Sequence, residues 1–459
     1  MIKRIEIVGL FGERDIFVNL EKKTNILVGE NGTGKSHVLN IIYYLMANKL
    51  LELLKIDFKL IKIFSSNDIE YELRKEELEQ VYYNKSLERG PLGFIRNNIS
   101  KSEFEYLIIA LQEKREIRKL DFIKDLTKRS PRIRMAIREL QENNELSLFD
   151  LIASDNINKV KKFLSKSYEK YENESILYLP TYRRIEKGLQ QLVHNSDLIE
   201  EFEVEDSNSL INFGMNDTKD LINSLLNEIS DSFLMAYAEL SENMLNELLI
   251  ALDSKFEPIQ IENLDLELVE LVLERVTGRI AEKDRARVLS IVKQNKTTKQ
   301  NYPILSMIKN LIDLYEGSTK KLEDRIEKFV EVCNRYLVNK DFIYNKKNVT
   351  LVIENKFNKN KNITIDQLSS GEKQIVSLFA KIYLKEVDNF IIFFDEPELS
   401  LSIEWQRMLL NDILNTKSCE FLFVTTHSPF IFEPLNLLKA TVDIDDCTKV
   451  YQETGVIDE

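Results

Sequence analysis

Eight residues, Gly29-Glu30-Asn31-Gly32-Thr33-Gly34-Lys35-Ser36, set three glycines ahead of a lysine and a hydroxyl. Glycine tolerates the left-handed backbone that turns successive N–H groups inward, where they cradle phosphate oxygens. An apolar strand, Thr24–Val28, precedes the loop, and an apolar run of helical spacing, His37–Met46, follows it. In that context GxxxxGK[ST] signifies a phosphate-binding loop, with a helix N-terminus adding its positive dipole end. The candidate binding residues are Gly29, Glu30, Asn31, Gly32, Thr33, Gly34, Lys35, Ser36 and His37. Lys35 is expected to reach the β- and γ-phosphates, and Ser36 to ligate Mg²⁺.

A second piece of chemistry closes the run Phe390-Ile391-Ile392-Phe393-Phe394-Asp395-Glu396. A continuous apolar run reads as a buried parallel strand, and ligands bind at the C-terminal ends of such strands. Asp395 is expected to hold Mg²⁺ through water. Glu396 is expected to polarise an attacking water, as general base or as orienting acceptor. Two further marks have a plain reading beside a functional one. Leu368-Ser369-Ser370-Gly371-Glu372-Lys373-Gln374 opens a helix. Its hydroxyls and free N–H groups suit an anion, and equally an ordinary N-cap. His427, in Thr425-Thr426-His427-Ser428-Pro429, follows the strand Glu420–Thr425, where it can meet a γ-phosphate or serve as a satisfied polar group.

The elements that must position these residues lie at the two ends of the chain. Ile2–Val8, Ile16–Leu20 and Thr24–Val28 read as strands, as do Ser175–Leu179, Val349–Ile353 and Ile363–Ile365. Helices are expected near Glu372–Leu384 and over Ile403–Leu414, with closing strands at Ala440–Ile444 and Lys449–Gln452. The fold class is α/β, a nucleotide-binding head with large helical insertions. Its divisions are an N-terminal lobe (1–48), a helical insertion (49–173), a head strand with a following loop (174–195), a second helical insertion (196–345) and a C-terminal lobe (346–459). No sustained heptad repeat predicts a long coiled-coil arm.

Composition narrows the rest. The chain has 459 residues, 43% hydrophobic and 30% charged, with net charge −13, which excludes a uniformly basic nucleic-acid coat. No apolar run reaches the length of a membrane helix, and Cys333, Cys419 and Cys447 are too far apart for a CxxC zinc site. A reducing cytoplasm and no membrane partner are expected. Lys114–Arg138 carries ten Lys or Arg against three Asp or Glu, and suits a phosphate backbone, an acidic protein or plain solvation. Asp197–Asp206 carries six acids and reads as an exposed linker or docking strip. Trp405, the single tryptophan, reads as core or interface packing.

In this order the four pieces resemble the ATP-binding-cassette (ABC) ATPases, chiefly their SMC, RecF and OLD-like branch. GENGTGKS corresponds to Walker A, LSSGEKQ to the signature, IIFFDEPE to Walker B and TTHSP to the switch histidine, while Glu398–Ile403 is similar to the D-loop. The likeness covers roughly 1–48, 174–190 and 346–445. It departs at Ser370, where the family often has glycine, and in Leu179–Glu186, which offers Arg183 and Arg184 but no glutamine.

The resemblance implies ATP and Mg²⁺ as cofactors and ATP hydrolysis between two paired heads. The Ser369-Ser370-Gly371 turn would meet the γ-phosphate held by a partner, through Ser369 and Gly371. Lys35, Glu396 and His427 would act on the chain's own nucleotide, and Ser400–Ser402 would lie at the seam. Only residues 428–459 follow His427, too few for the nuclease domain of OLD-like proteins, and Asp443, Asp445 and Asp446 read as a solvated strand end. Heads of this size resemble the ATPase subunits of bacterial anti-phage systems such as PARIS and Septu. That implies a sensor, paired with itself or in a higher oligomer, that controls a separate nuclease or toxin, with DNA or a phage protein as trigger. The competing readings are a RecF- or SMC-like DNA-repair clamp and an ATP-binding scaffold with little turnover.

Overall fold

The computed structural model of the chain describes residues 1–83, 98–112, 155–171, 175–180, 215–251, 263–276, 282–358, 362–385, 389–416 and 418–451, with a few single positions between them. The strands among these run in chain order β1 (Ile2–Leu10), β2 (Arg14–Asn19), β3 (Thr24–Val28), β4 (Leu60–Ser65), β5 (Glu70–Arg74), β6 (Ile176–Leu179), β7 (Lys340–Asn345), β8 (Thr350–Asn355), β9 (Asn362–Ile363), β10 (Phe390–Asp395), β11 (Cys419–Thr426), β12 (Thr441–Asp443) and β13 (Thr448–Val450). The chain divides into two compact units. One comprises Met1–Pro180, Asn389–Pro397 and Cys419–Glu459; the other comprises Thr181–Asp388 and Glu398–Ser418.

The first unit holds two sheets. One is parallel, in the order β12-β3-β11-β10-β6. All six residues of β10 are buried, as a central strand covered on both faces requires. The other sheet is antiparallel, in the order β13-β2-β1-β4-β5. In β1 the buried Ile5 and Ile7 alternate with Arg4 and Glu6, which gives the sheet one solvated face. The helix Lys35–Met46 buries Val38, Leu39, Ile41, Ile42 and Leu45 in one core with Ile5 and Ile7 of the antiparallel sheet and Phe393 and Phe423 of the parallel one. Its Tyr43 stacks on Tyr178 of β6, with ring centroids 4.6 Å apart.

The segment 49–173 is not wholly helical as expected. Helices do form at Lys75–Tyr83, Lys101–Gln112 and Asp155–Tyr168, but β4 and β5 come first and extend the antiparallel sheet. The burial of β4 alternates strictly, and its Lys62 lies between Glu70 and Glu72 of β5. A run as short as Leu60–Ser65 satisfies helical and strand spacing equally, so only pairing with β1 decides it.

The second unit is mostly helical, as expected, over Asn216–Ala251, Leu266–Val276, Glu282–Lys293, Tyr302–Leu314 and Lys320–Tyr336. It also holds the small sheet β7-β8-β9, whose first strand was not anticipated. Its interior contains an ion pair, Arg275 with Glu323, whose side chains are 2% and 1% exposed. Tyr315 and Tyr344 donate to the same carboxylate at 2.6 and 3.1 Å, and Arg275 also donates to the Lys346 carbonyl. Between two of these helices the chain widens into one π-turn, Tyr315–Thr319, which supplies Tyr315 to this cluster.

Arg183, Arg184 and the acidic strip Asp197–Asp206 lie outside the described residues, as do most of Lys114–Arg138 and most of the Leu179–Glu186 segment. A buried charge stripped of its partner is strongly destabilising. Glu323→Ala should lower unfolding stability by about 3–5 kcal/mol, read as a shift of the urea midpoint at constant slope.

Candidate nucleotide-phosphate site

The site follows from strand register. In the parallel sheet Val28 pairs with Thr426, and Thr425 pairs with Asp395. The phosphate-binding loop, Asp395–Glu396 and His427 therefore leave the sheet from one edge, where the C-terminal ends of β3, β10 and β11 are level.

The loop itself is preshaped. Gly29, Gly32 and Gly34 have φ of 154°, 83° and 96°, in the region that favours glycine. A Cβ at Gly29 would stand 2.5 Å from Ile444 Cγ2, so the loop's first turn is pressed against the tail, whose Ile444 N–H bonds to the Val28 carbonyl at 2.8 Å. A Cβ at Gly32 would meet nothing within 4 Å, which leaves that backbone open to a ligand. Thr33 Oγ1 donates to the Glu30 carbonyl at 2.8 Å, and Arg14 of β2 donates to the Thr33 carbonyl at 3.1 Å. Glu30 and Asn31 are exposed on the loop's outer rim. The Lys35 ammonium, 4% exposed, donates to the Gly29 and Glu30 carbonyls at 2.8 and 2.7 Å. Those two carbonyls hold the cation against the loop. His37 is exposed and packs edge-on against Phe11, with centroids 4.8 Å apart.

Asp395 is 5% exposed. One of its oxygens accepts from Ser36 at 2.9 Å and from Thr425 at 2.5 Å. The two residues expected to hold Mg²⁺ thus meet directly, although 359 residues separate them. Among the described residues no cluster of three or more His, Cys, Asp or Glu offers an all-protein cage. One hydroxyl and one carboxylate suit a hard cation that keeps waters and takes phosphate oxygens for its other ligands. Ser36 and Asp395 would hold Mg²⁺, which supplies charge neutralisation at the phosphates when bound. Glu396 follows with φ of 48°, a left-handed conformation that costs a residue with a Cβ roughly 1–2 kcal/mol. Its N–H bonds to the Thr425 carbonyl at 2.9 Å, which carries the strand ladder through the turn. His427 is exposed one residue beyond β11, and Ser428 N–H closes on Thr426 Oγ1 at 3.0 Å behind it.

The signature residues belong to the second unit. Ser369 caps the helix Ser370–Tyr383 in a reciprocal box. Its hydroxyl accepts from Glu372 N–H at 3.3 Å, and its own N–H donates to Glu372 Oε2 at 2.7 Å. The plain reading of this serine as an N-cap therefore holds, and its hydroxyl proton is left to donate elsewhere. Ser370 is the first helical residue. A Cβ on Gly371 would collide with the Ser400 carbonyl oxygen and stand 3.1 Å from the Trp405 ring. Ser400 has φ of 65°, and Gln406 secures the turn by donating to the Leu401 carbonyl at 3.0 Å. Trp405 is partly buried and packs edge-on against Tyr336.

Thr425, Arg14 and Ile444 support the site without having been singled out. Thr425 sits inside the Thr425–Pro429 motif, so a hydroxyl at a strand end beside an acidic strand was the available signal; the other two offer none.

A parallel sheet whose first strand feeds a phosphate-binding loop, with an acidic strand end beside it, defines a P-loop ATPase fold of mixed α/β class. The family described as AAA ATPase domain (AAA_15) matches residues 1–432, and the chain belongs to that family. No match was found among curated proteins. Among solved structures the chain is similar to an Smc head domain with an extended coiled coil bound to the C-terminal domain of ScpA, from Pyrococcus furiosus. That match has 12% identity and a TM-score of 0.36, over 98% of this chain and 95% of that one. It is also similar to an Smc head bound to the C-winged helix domain of ScpA, at 11% identity and 0.31 over 98% and 96%. An Smc head with a coiled coil and joint from Pyrococcus yayanosii matches at 15% and 0.30 over 98% and 96%. The family assignment rests on the AAA match and on the sheet rather than on these likenesses.

Two outcomes are expected. Lys35→Ala should raise the dissociation constant for a fluorescent ATP analogue by about 10- to 100-fold, the worth of one charged hydrogen-bonding group. Gly371→Ala should cost about 1–3 kcal/mol in thermal unfolding because the Ser400 turn must shift.

Proposed function

We propose that the chain binds and hydrolyses ATP, and that ATP closes two copies of it into a pair, as in ABC-type ATPases. The observation that carries this is the convergence of Ser36, Thr425 and Asp395 at one sheet edge, with the strained Glu396 next in line. Lys35 leaves its loop carbonyls for the β- and γ-phosphates. Glu396 takes a proton from the water that attacks the γ-phosphorus, and the bond to the ADP oxygen breaks. His427 hydrogen-bonds the γ-phosphate on its own chain. Ser369 and Gly371 serve the nucleotide of the opposite copy, with Ser370 in the same turn. Opening after hydrolysis completes a nucleotide-gated switch.

The biological setting is a sensor in anti-phage defence that restrains or releases a separate nuclease or toxin. Its support is the motif set on a head with helical additions, the pattern seen in the ATPase subunits of such systems.

Glu396→Gln should bind ATP, lose nearly all turnover and accumulate as a pair, about twice the 53.8 kDa chain mass by native mass spectrometry. A chain that stays single in saturating ATP would remove the pairing. The same variant, expressed with its genomic neighbours, should co-purify a stoichiometric effector. Recovery of duplex DNA with no protein would instead favour a clamp, recognisable by steep salt dependence.

A further inference from the structure

The capping box around Ser369 differs from an ordinary one in the environment of its acid. A glutamate at the third helical position needs no partner when it is solvated, because water satisfies its spare lone pairs. Glu372 is 7% exposed, so burial removes that water. Lys340, at the first position of β7, replaces it. Its ammonium donates to both carboxylate oxygens, at 2.8 and 2.7 Å, while Ser369 N–H holds one of them at 2.7 Å. Burial alone would raise the Glu372 pKa, but Lys340 and Ser369 outweigh it and hold the carboxyl below its usual range. The carboxylate therefore stays ionised and is fixed from two directions.

The consequence concerns where Ser369 sits. A helix N-cap can rotate and fray with its own first turn. Here the acid that closes the cap is clamped by a residue 32 positions earlier, on a different element. That element is anchored in turn: Asn334 binds the Phe342 N–H and carbonyl at 2.7 and 2.9 Å, and Phe342 packs edge-on against Phe329. Within the same unit Arg335 and Tyr336 hold Asp412 of the helix Ile403–Leu414 at 2.8 and 2.7 Å, and that helix carries Trp405 against Gly371. The signature turn and the Ser400 turn are both referred to one frame, the helix Lys320–Tyr336 with β7.

We infer that Lys340 is a positioning residue for the signature serine: by clamping Glu372 it fixes the Ser369 turn where the γ-phosphate of a second copy must meet it. This rests on the paired-head reading above. Lys340 touches neither nucleotide nor reacting atoms, so its removal should leave ATP affinity alone and slow turnover through a misplaced donor.

The test separates that role from plain structural support, and its failure from failure of the paired-head reading. Lys340→Met should bind a fluorescent ATP analogue as wild type does and hydrolyse about 10- to 100-fold more slowly, the scale of an ångström of misplacement. Lys340→Arg, which keeps the charge, should regain most of the rate. Glu372→Gln keeps volume and one acceptor but loses the ion pair, and should give the same loss even if Lys340→Met proves poorly folded. Mixing Lys340→Met chains with Glu396→Gln chains should raise hydrolysis well above that of either alone, because the intact signature of one copy then covers the intact Glu396 site of the other. Wild-type turnover in Lys340→Met or in Glu372→Gln overturns the inference and leaves the paired-head reading standing. Slow turnover with no recovery on mixing overturns trans action itself, and the inference with it.

Discussion

Asp395 is a carboxylate with almost no access to water, and such a group must be satisfied by fixed partners. Its partners are Ser36, the first hydroxyl after the loop lysine, and Thr425, from the strand between. Much of the first unit's arrangement bears on keeping those three together. The parallel register levels the strand ends, and the core around Val38, Ile42 and Phe393 fixes the loop helix over the sheet. Ile444 presses on the loop's first glycine from the other side. A hydroxyl pair on a buried carboxylate also describes a half-built cation site, which is why the same contacts hold the fold and prepare the chemistry.

The two units divide the candidate chemistry unevenly. The first carries the groups expected to act on the chain's own nucleotide: Lys35, Ser36, Asp395, Glu396 and His427. The second carries Ser369, Gly371 and Ser400, expected to act on another copy's. Each set is stiffened differently. The first relies on backbone ladders and glycine turns, the second on ion pairs and side-chain clamps such as Lys340–Glu372 and Arg335–Asp412. Helices expose few backbone groups to bind one another, so a helical unit locates a short turn through side chains.

Much was legible along the chain because the signals are local. The helix Ile403–Leu414 forms where it was expected, the run from Phe390 forms the buried strand β10, and β11 differs from the expected Glu420–Thr425 by one residue at each end. A continuous apolar run and a capped helix each declare themselves within a dozen residues. Leu60–Ser65 and Glu70–Arg74 did not, because alternating charged and apolar residues over five or six positions fit two periods, and neighbours in space choose between them.

The residue types and order alone determined the phosphate-binding loop, the acidic strand end, the hydroxyl-bearing helix start and the α/β class, since each is written in consecutive residues whose backbone preferences are strong. Tertiary structure decided that Thr425 shares Asp395 with Ser36, that Glu396 takes a left-handed backbone, that Ser400 leaves room only for glycine at position 371, and that Lys340 holds Glu372. Those facts depend on strand register and on contacts between segments far apart in the chain, and a sequence encodes such contacts only through the fold that brings them together.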